Sequence, residues 1–232
     1  DLATATYTSN GTYTLSVDVP NSYYQVDFVC GQAIDRFGPA NSNIFYTPQG
    51  RLFSADNGGS SAYRPTLKSG DTAAFNFWTG SSGQNLIKAL NGSSSSVALG
   101  NWLATSFSNL YGNFANKTNS YIASYLKNTI SSSSVEAQVF ATALSIYVTD
   151  IDLSGAVGHS YGFHTSYLGS AAKTFNVGNN GSSIGLSNSR TYTLSEIMAA
   201  ANDSASGGKI DGNSTTRNKV SSLFSSLNSA GA

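Results

Sequence analysis

Hydrophobic positions along the first 75 or so residues recur at every second place. Thr12 to Val19 alternates strictly, with Tyr13, Leu15, Val17 and Val19 on one side. Tyr24 to Cys30 alternates again after the turn signal Pro20-Asn21-Ser22, with Tyr24, Val26, Phe28 and Cys30 on one face. Alternation of this kind turns one strand face toward a core, so the two segments predict an antiparallel hairpin. Ile44-Phe45-Tyr46 and Arg51-Leu52-Phe53-Ser54 flank the turn Pro48-Gln49-Gly50, and Asp56-Asn57-Gly58-Gly59 closes a strand in a loop. Phe75-Asn76-Phe77-Trp78 reads as a short aromatic strand or lead-in. Short strands separated by turns predict a small sandwich or sheet.

After Trp78 the period lengthens to that of a helix. Leu86, Ile87 and Leu90 share one face, and so do Trp102, Leu103 and Phe107. Thr118 is placed to cap a helix bearing Tyr121, Ile122, Tyr125, Leu126 and Ile130, whose two tyrosines are assigned to the core. Ser134 is placed to cap the next, where Val135, Val139, Phe140, Ala143, Leu144 and Tyr147 form a wide apolar stripe. From Gly155 to Asn188 the helical period stops. Phe175 and Val177, then Ile184 and Leu186, alternate around Asn179-Asn180-Gly181, which predicts a hairpin near 174–187. Thr193-Leu194-Ser195-Glu196 is a capping box, and its helix is expected to run to Gly207-Gly208. A last helix begins near Ser214 and buries Val220, Leu223, Phe224 and Leu227. The predicted class is α+β: an N-terminal antiparallel β region over residues 1–76, packed on a mainly helical region over 77–232, a bundle that contains the hairpin.

Composition narrows the setting. Lys and Arg number 12, Asp and Glu 12, and only 10% of the 232 residues are charged. Such a chain has no cationic field to meet phosphates, which excludes a basic nucleic-acid binder. Hydrophobic residues at 40% suffice for a sizeable core. No apolar run approaches about 18 residues, so no membrane-spanning helix is expected. Surfaces built from 40 Ser, 22 Asn and 23 Gly, with an opening Asp1-Leu2-Ala3-Thr4 that lacks Met, suggest an extracellular or cell-surface protein in its mature form after signal-peptide removal. Asn-x-Ser/Thr sequons stand at Asn10, Asn91, Asn116, Asn180, Asn202 and Asn213. Cys30 is alone, so no intramolecular disulfide forms, and it reads as a small buried hydrophobe rather than a reactive or intermolecular thiol.

Candidate chemistry is sparse. The chain lacks a Gly-x-Ser-x-Gly elbow, His-Glu-x-x-His, a P-loop and Gly-x-Gly-x-x-Gly, so no catalytic residue is assigned and no enzyme is expected. Asp150 and Asp152, with His159 and His164 downstream, are the candidate metal ligands, and Asp150 and Asp152 at i and i+2 are the pair that suits calcium. The plainer reading makes Asp150 a helix end and the others exposed loop residues. No other cofactor is implied. Tyr7, Tyr63 and Tyr167 lie outside helical spacing and are assigned to the surface, where tyrosine stacks on sugars or anchors protein contacts. The opening nine residues alternate Leu2, Thr4, Thr6 and Thr8 against Ala3, Ala5 and Tyr7, with no Pro or Lys to guard an edge. They form either an ordinary edge strand or a strand donated to a neighbouring subunit.

A longer thread of motifs runs from Phe77 to the C-terminus. It comprises Phe77-Trp78, Gly83-Gln84, Leu86-Ile87, Asn91-Gly92, Leu99-Gly100-Asn101-Trp102-Leu103-Ala104, Asn109-Leu110-Tyr111-Gly112 and Asn116-Lys117-Thr118-Asn119. Ala137-Gln138-Val139-Phe140-Ala141-Thr142-Ala143-Leu144-Ser145-Ile146-Tyr147, Tyr161-Gly162-Phe163, Asn176-Val177-Gly178 and Asn228-Ser229-Ala230-Gly231 continue it. Upstream stand Tyr24-Gln25-Val26-Asp27-Phe28, Asn43-Ile44-Phe45-Tyr46 and Ser54-Ala55-Asp56-Asn57-Gly58-Gly59. In this order the chain resembles a C-terminal helical module of large secreted bacterial surface proteins that often carry SdrD-B-like repeats. It departs from that pattern at Gly158-His159-Ser160 and His164. The resemblance transfers no activity; it implies an extracellular structural module. The expected function is therefore a secreted or cell-surface structural protein, a subunit of a filament, matrix or surface layer whose partner is itself or other surface proteins and glycans. The alternative is an extracellular binding module for a glycan or another surface protein.

Overall fold

A computed structural model describes residues 5–14, 16, 22–34, 37–39, 41–61 and 64–232. The protein is α+β, with small antiparallel sheets and a helical C-terminal region. Its contacts divide the chain into two units, Asp1–Tyr63 and Arg64–Ala232. The boundary therefore falls earlier than residue 76. Residues 64–74 belong with the helices because they are bonded there. Thr66 forms a bridge to Thr174, while the Thr72 amide donates to the Gly231 carbonyl and its hydroxyl to that of Asn228.

In the first unit, strand β1 (Tyr24–Val29) pairs antiparallel with β2 (Leu52–Gly58) in the register Tyr24↔Gly58 to Phe28↔Ser54, with an irregularity before Val29. The strand expected from Tyr24 onward is present and, among the described residues, pairs with β2 alone. Of the expected partner segment 12–19, Thr12, Tyr13, Thr14 and Ser16 are in no strand, and Leu15, Val17, Asp18 and Val19 lie outside the described residues. Alternation marks a segment able to pair; it does not choose the partner. Ile44–Tyr46 is likewise no strand, and Asp56–Gly58 lies inside β2. Arg51 organises this unit. Its Nε donates to the Cys30 carbonyl at 2.8 Å, its Nη2 to that of Gln32, and its guanidinium lies 5.3 Å from the centre of the Tyr46 ring. Tyr46, which is buried, accepts the Ile34 amide on its hydroxyl. Gly59 closes the ribbon at φ +91° with its Cα against the Ser22 carbonyl, a place no side chain can share.

The second unit is built around helix α6 (Val135–Thr149), capped by Ser134, whose hydroxyl accepts the Ala137 amide. All but two of its 15 residues are buried, so it is a core helix rather than a surface helix with one apolar stripe. Around it pack α1 (Phe75–Thr79), α8 (Leu194–Asp203) and α9 (Ser214–Ala230); α2 (Ser81–Ala89) packs on α1 and on α5 (Asn119–Asn128). The cap expected at Thr118 is present, accepting the Tyr121 amide at 3.2 Å. Helix α3 (Ala98–Ser106) leads into the short α4 (Ser108–Tyr111). Gly100 lets α3 approach the backbone carbonyls of Phe114 and Lys117, where a Cβ would collide with both.

Five expectations are corrected here. Phe75–Trp78 is helical because Phe75 and Trp78, three apart, are the buried pair, whereas Phe77 is only half-buried. The strand β3 (Thr174–Asn176) pairs with β4 (Thr191–Thr193), not within 174–187, and Gly178–Ile184 is a 3-10 helix. Helix α8 stops at Asp203, and Gly207-Gly208, both at positive φ, turn a small hairpin between β5 (Ala205–Ser206) and β6 (Lys209–Ile210). Tyr121 is exposed, stacked on the half-buried Tyr125 with the Lys117 ammonium 4.9 Å from its ring centre. Trp102 is half-buried, unlike its neighbour Leu103.

The capping box of α8 carries a pH-dependent contribution. The Thr193 amide and hydroxyl donate to Glu196 Oε2 at 2.7 and 2.9 Å and hold that carboxyl below its usual range; slight burial opposes them, and nearby Arg64 adds to them. A carboxyl whose folded pKa is depressed stabilises above its unfolded pKa, and loses that contribution as pH falls through the folded value. Glu196→Gln is expected to lower the thermal midpoint near neutral pH while flattening its fall in acid, as read by melting curves across pH.

Candidate functional site

The polar stretch singled out in the sequence does not converge. Asp150 is the N-cap of the short helix α7 (Ile151–Ser154), its Oδ1 accepting the Asp152 amide at 2.8 Å and the Leu153 amide at 3.3 Å. Asp152, His159 and His164 are exposed. Among the described residues, no group of three or more His, Cys, Asp and Glu side chains is placed to hold a metal ion.

His164 instead meets a carboxylate the sequence reading passed over. Asp71 is buried, and its Oδ2 accepts the Lys68 amide at 2.7 Å. Lys173 Nζ lies 3.5 Å from Oδ2 and His164 Nδ1 3.6 Å from Oδ1. The His164 amide also donates to the Gly70 carbonyl at 2.8 Å. These are ion-pair separations rather than hydrogen bonds. Asp71 thus ties together segments far apart in the chain. Nothing local marks the ion pairs of Asp71, because Lys173 and His164 stand about a hundred positions away.

Tyr111 is a second buried polar group missed in the sequence. Its ring stacks on Phe140 at 4.7 Å, and among the described contacts its hydroxyl has no hydrogen-bond partner. Burial pushes its pKa well above the usual value, with Glu136 and Tyr125 adding to the effect. An unpaired buried hydroxyl costs stability. Tyr111→Phe is expected to raise the unfolding free energy by about 1 kcal/mol in urea titrations.

Exposed apolar surface is concentrated in the first unit. Of the eleven large hydrophobics exposed among the described residues, eight precede residue 64: Tyr7, Tyr13, Tyr23, Val26, Phe28, Phe37, Ile44 and Phe53. Phe28 and Phe53 are 64% and 71% exposed, and their rings lie 6.0 Å apart across the β1–β2 ribbon. Among the described residues neither strand pairs with a third. In this unit only Ser22 and Tyr46 are buried among the described residues. Cys30 is exposed, contrary to its expected burial, because the ribbon face it would share is open.

The remaining candidates are scattered. Tyr7 is exposed and stacked on Tyr13 at 4.0 Å, Tyr167 is exposed, and Tyr63 lies outside the described residues. Thr6 and Thr8 are exposed and in no strand, while Leu2 and Thr4 lie outside the described residues. Among the sequons, Asn10 and Asn116 are exposed and Asn180 is half-buried. The other three carboxamides are engaged. Asn91 donates to the Leu153 carbonyl and accepts from the Tyr147 hydroxyl, Asn202 accepts the Asn109 and Leu110 amides, and Asn213 caps α9. No helix among the described residues is long and apolar enough to cross a membrane. Compared with protein-family models, with curated proteins and with solved structures, the chain has no match.

Proposed function

We propose that the protein is an extracellular or cell-surface structural protein, a subunit of a filament, matrix or surface layer, which associates through the β1–β2 ribbon of its first unit. The observation that carries this reading is the exposed Phe28–Phe53 pair, with Val26 two places from Phe28 on the same strand, on a two-stranded ribbon that has almost no buried interior among the described residues. A ribbon of this kind is marginal alone, and contiguous exposed apolar surface marks an interaction site. Zero net charge removes the long-range repulsion between copies. The motif resemblance to secreted surface modules points the same way. No catalytic residue belongs to this reading.

Sedimentation velocity of the full chain tests it. The wild type is expected to form larger species as concentration rises, and Phe28→Ser with Phe53→Ser to remain monomeric with an unchanged far-UV circular dichroism spectrum. Deleting residues 1–9 separates the two routes of association: loss of assembly assigns it to a donated terminal strand, retention to the ribbon face. A wild type that stays monomeric at the highest attainable concentration overturns the proposal. The alternative, a glycan-binding module, is favoured by the stacked and half-open Tyr7–Tyr13 pair. Saturable binding on a glycan array by a monomeric wild type, lost in Tyr7→Ala, would select it.

A further inference from the structure

Of the two strands in the ribbon, β1 is the better edge. Tyr24, Val26, Phe28 and Val29 favour strands, whereas β2 ends in Ala55-Asp56-Asn57-Gly58, which strands disfavour. Among the described residues β1 pairs with β2 alone, so its other edge presents a row of backbone N–H and C=O groups to a further strand. No Pro or Lys guards that edge, and Asp27 is its one charged residue.

Side chains directly opposite one another in an antiparallel pair lie on the same face, so the sequence of β1 restricts how a second copy can lie against it. Tyr24, Val26 and Phe28 share one face, Gln25 and Asp27 the other. A two-fold pairing centred on Val26 sets Val26 against its copy, Tyr24 against Phe28 and Gln25 against Asp27. It keeps the apolar face apolar across the contact and uses only the regular part of the strand, before the irregularity at Val29. A slip of one residue sets Val26 opposite Asp27 or Gln25 and mixes the faces. Centring on Asp27 puts two carboxylates opposite one another, which is destabilising. Centring on Gln25 or Phe28 leaves three residues of each strand in the pair, against five. Within the strand Asp27 Oδ1 accepts Gln25 Nε2 at 2.6 Å, and a carboxylate has further acceptor sites for the Gln25 of a second copy.

We propose that two copies of this chain pair edge to edge through β1, antiparallel and centred on Val26, to form a four-stranded sheet in the order β2–β1–β1–β2. The occupant of the edge is a second copy because Gln25 and Asp27 complement one another across the two-fold axis while Asp27 avoids itself. Resting on the reading that the protein associates through its ribbon, this pairing specifies the edge, the partner and the register. Four strands with one apolar face gain the support that a two-stranded ribbon lacks. The contact is isologous and closes as a pair, so growth beyond it uses another surface.

Disulfide trapping of the full chain in a Cys30→Ser background tests the register. Directly opposite residues have Cα atoms about 4.5–5.5 Å apart, within reach of a disulfide, and diagonal ones stand about 7–8 Å apart, beyond it. Oxidised glutathione is the oxidant: two protein thiols join as one disulfide and two glutathione thiols are released. Val26→Cys is expected to give a covalent dimer on non-reducing gels. Gln25→Cys and Asp27→Cys are expected to give one when mixed and none when alone. Charge variants read the same contact without a thiol. Gln25→Lys sets a cation against Asp27 of the second copy and is expected to tighten association about threefold to tenfold at low salt in sedimentation velocity, two exposed ion pairs being gained. Gln25→Asp is expected to weaken it, and both shifts shrink as salt is raised. If reduced Val26→Cys no longer associates, the mixed cysteine pair and the charge variants decide. A wild type that stays monomeric overturns this pairing and the ribbon reading together. A wild type that associates overturns the pairing alone if Asp27→Cys is trapped by itself more readily than Val26→Cys, if neither Val26→Cys nor the mixed pair is trapped, or if Gln25→Lys and Gln25→Asp shift association in the same direction.

Discussion

Replacing Phe140 with alanine is expected to lower the unfolding free energy by about 3–5 kcal/mol. Phe140 is fully buried at the middle of α6. Its ring stacks on Tyr111 at 4.7 Å and on Phe114 at 5.5 Å, and Phe114 in turn touches Tyr125 at 5.1 Å. Truncation removes apolar area from the core and leaves a cavity bounded by large rings, which cannot close without moving the α4 segment. Urea unfolding followed by circular dichroism and by tyrosine and tryptophan fluorescence measures the loss. A change under about 1 kcal/mol would mean that the aromatic cluster does not pack as described.

Asn228→Ala is expected to cost about 2–3 kcal/mol, although only a small polar side chain is lost. Asn228 is fully buried on α9. Its Oδ1 accepts the Thr142 hydroxyl at 2.7 Å, and its Nδ2 donates to the Gln138 carbonyl at 2.9 Å. The substitution leaves a buried hydroxyl and a buried carbonyl short of partners, and that asymmetry is what makes single removals expensive. Thr142→Val combined with Asn228→Leu removes the principal hydroxyl–carboxamide pair together. The double variant is expected to lose less than the sum of the two single changes, a coupling measured by a double-mutant cycle. Strict additivity would show that the Thr142–Asn228 bond contributes nothing.

Thr142 belongs to a buried polar line on α6 that no periodicity announces. Ser145 accepts the Ala73 amide at 3.2 Å, and Thr149 accepts the Ser170 amide at 2.8 Å, while both remain bonded to their own helix. Three small hydroxyls thus fasten segments near residues 73, 170 and 228 to the central helix. In sequence they look like polar interruptions of a wide apolar stripe. The same limit hid Asp71, whose meaning comes from Lys173 and His164.

Features whose physics closes within a few residues were legible in the sequence. The caps at Thr118, Ser134 and Thr193 were readable because an N-cap hydroxyl bonds an amide three positions on, and a capping box needs only one carboxylate at that spacing. The buried face of α9 was readable because Val220, Leu223, Phe224 and Leu227 recur at helical spacing. So was β1, as a segment able to form a strand.

Only the tertiary structure decided what those elements meet. It gave β1 the partner Leu52–Gly58, paired Thr174–Asn176 with Thr191–Thr193, and turned Gly207-Gly208 from a helix stop into a hairpin. It also left Phe28 and Phe53 in the open and put Tyr121 outside. Alternation divides a strand into two faces, and helical spacing divides a helix into sides. Which of them is covered depends on segments distant in the chain, and the free energy of covering it appears only when those segments arrive.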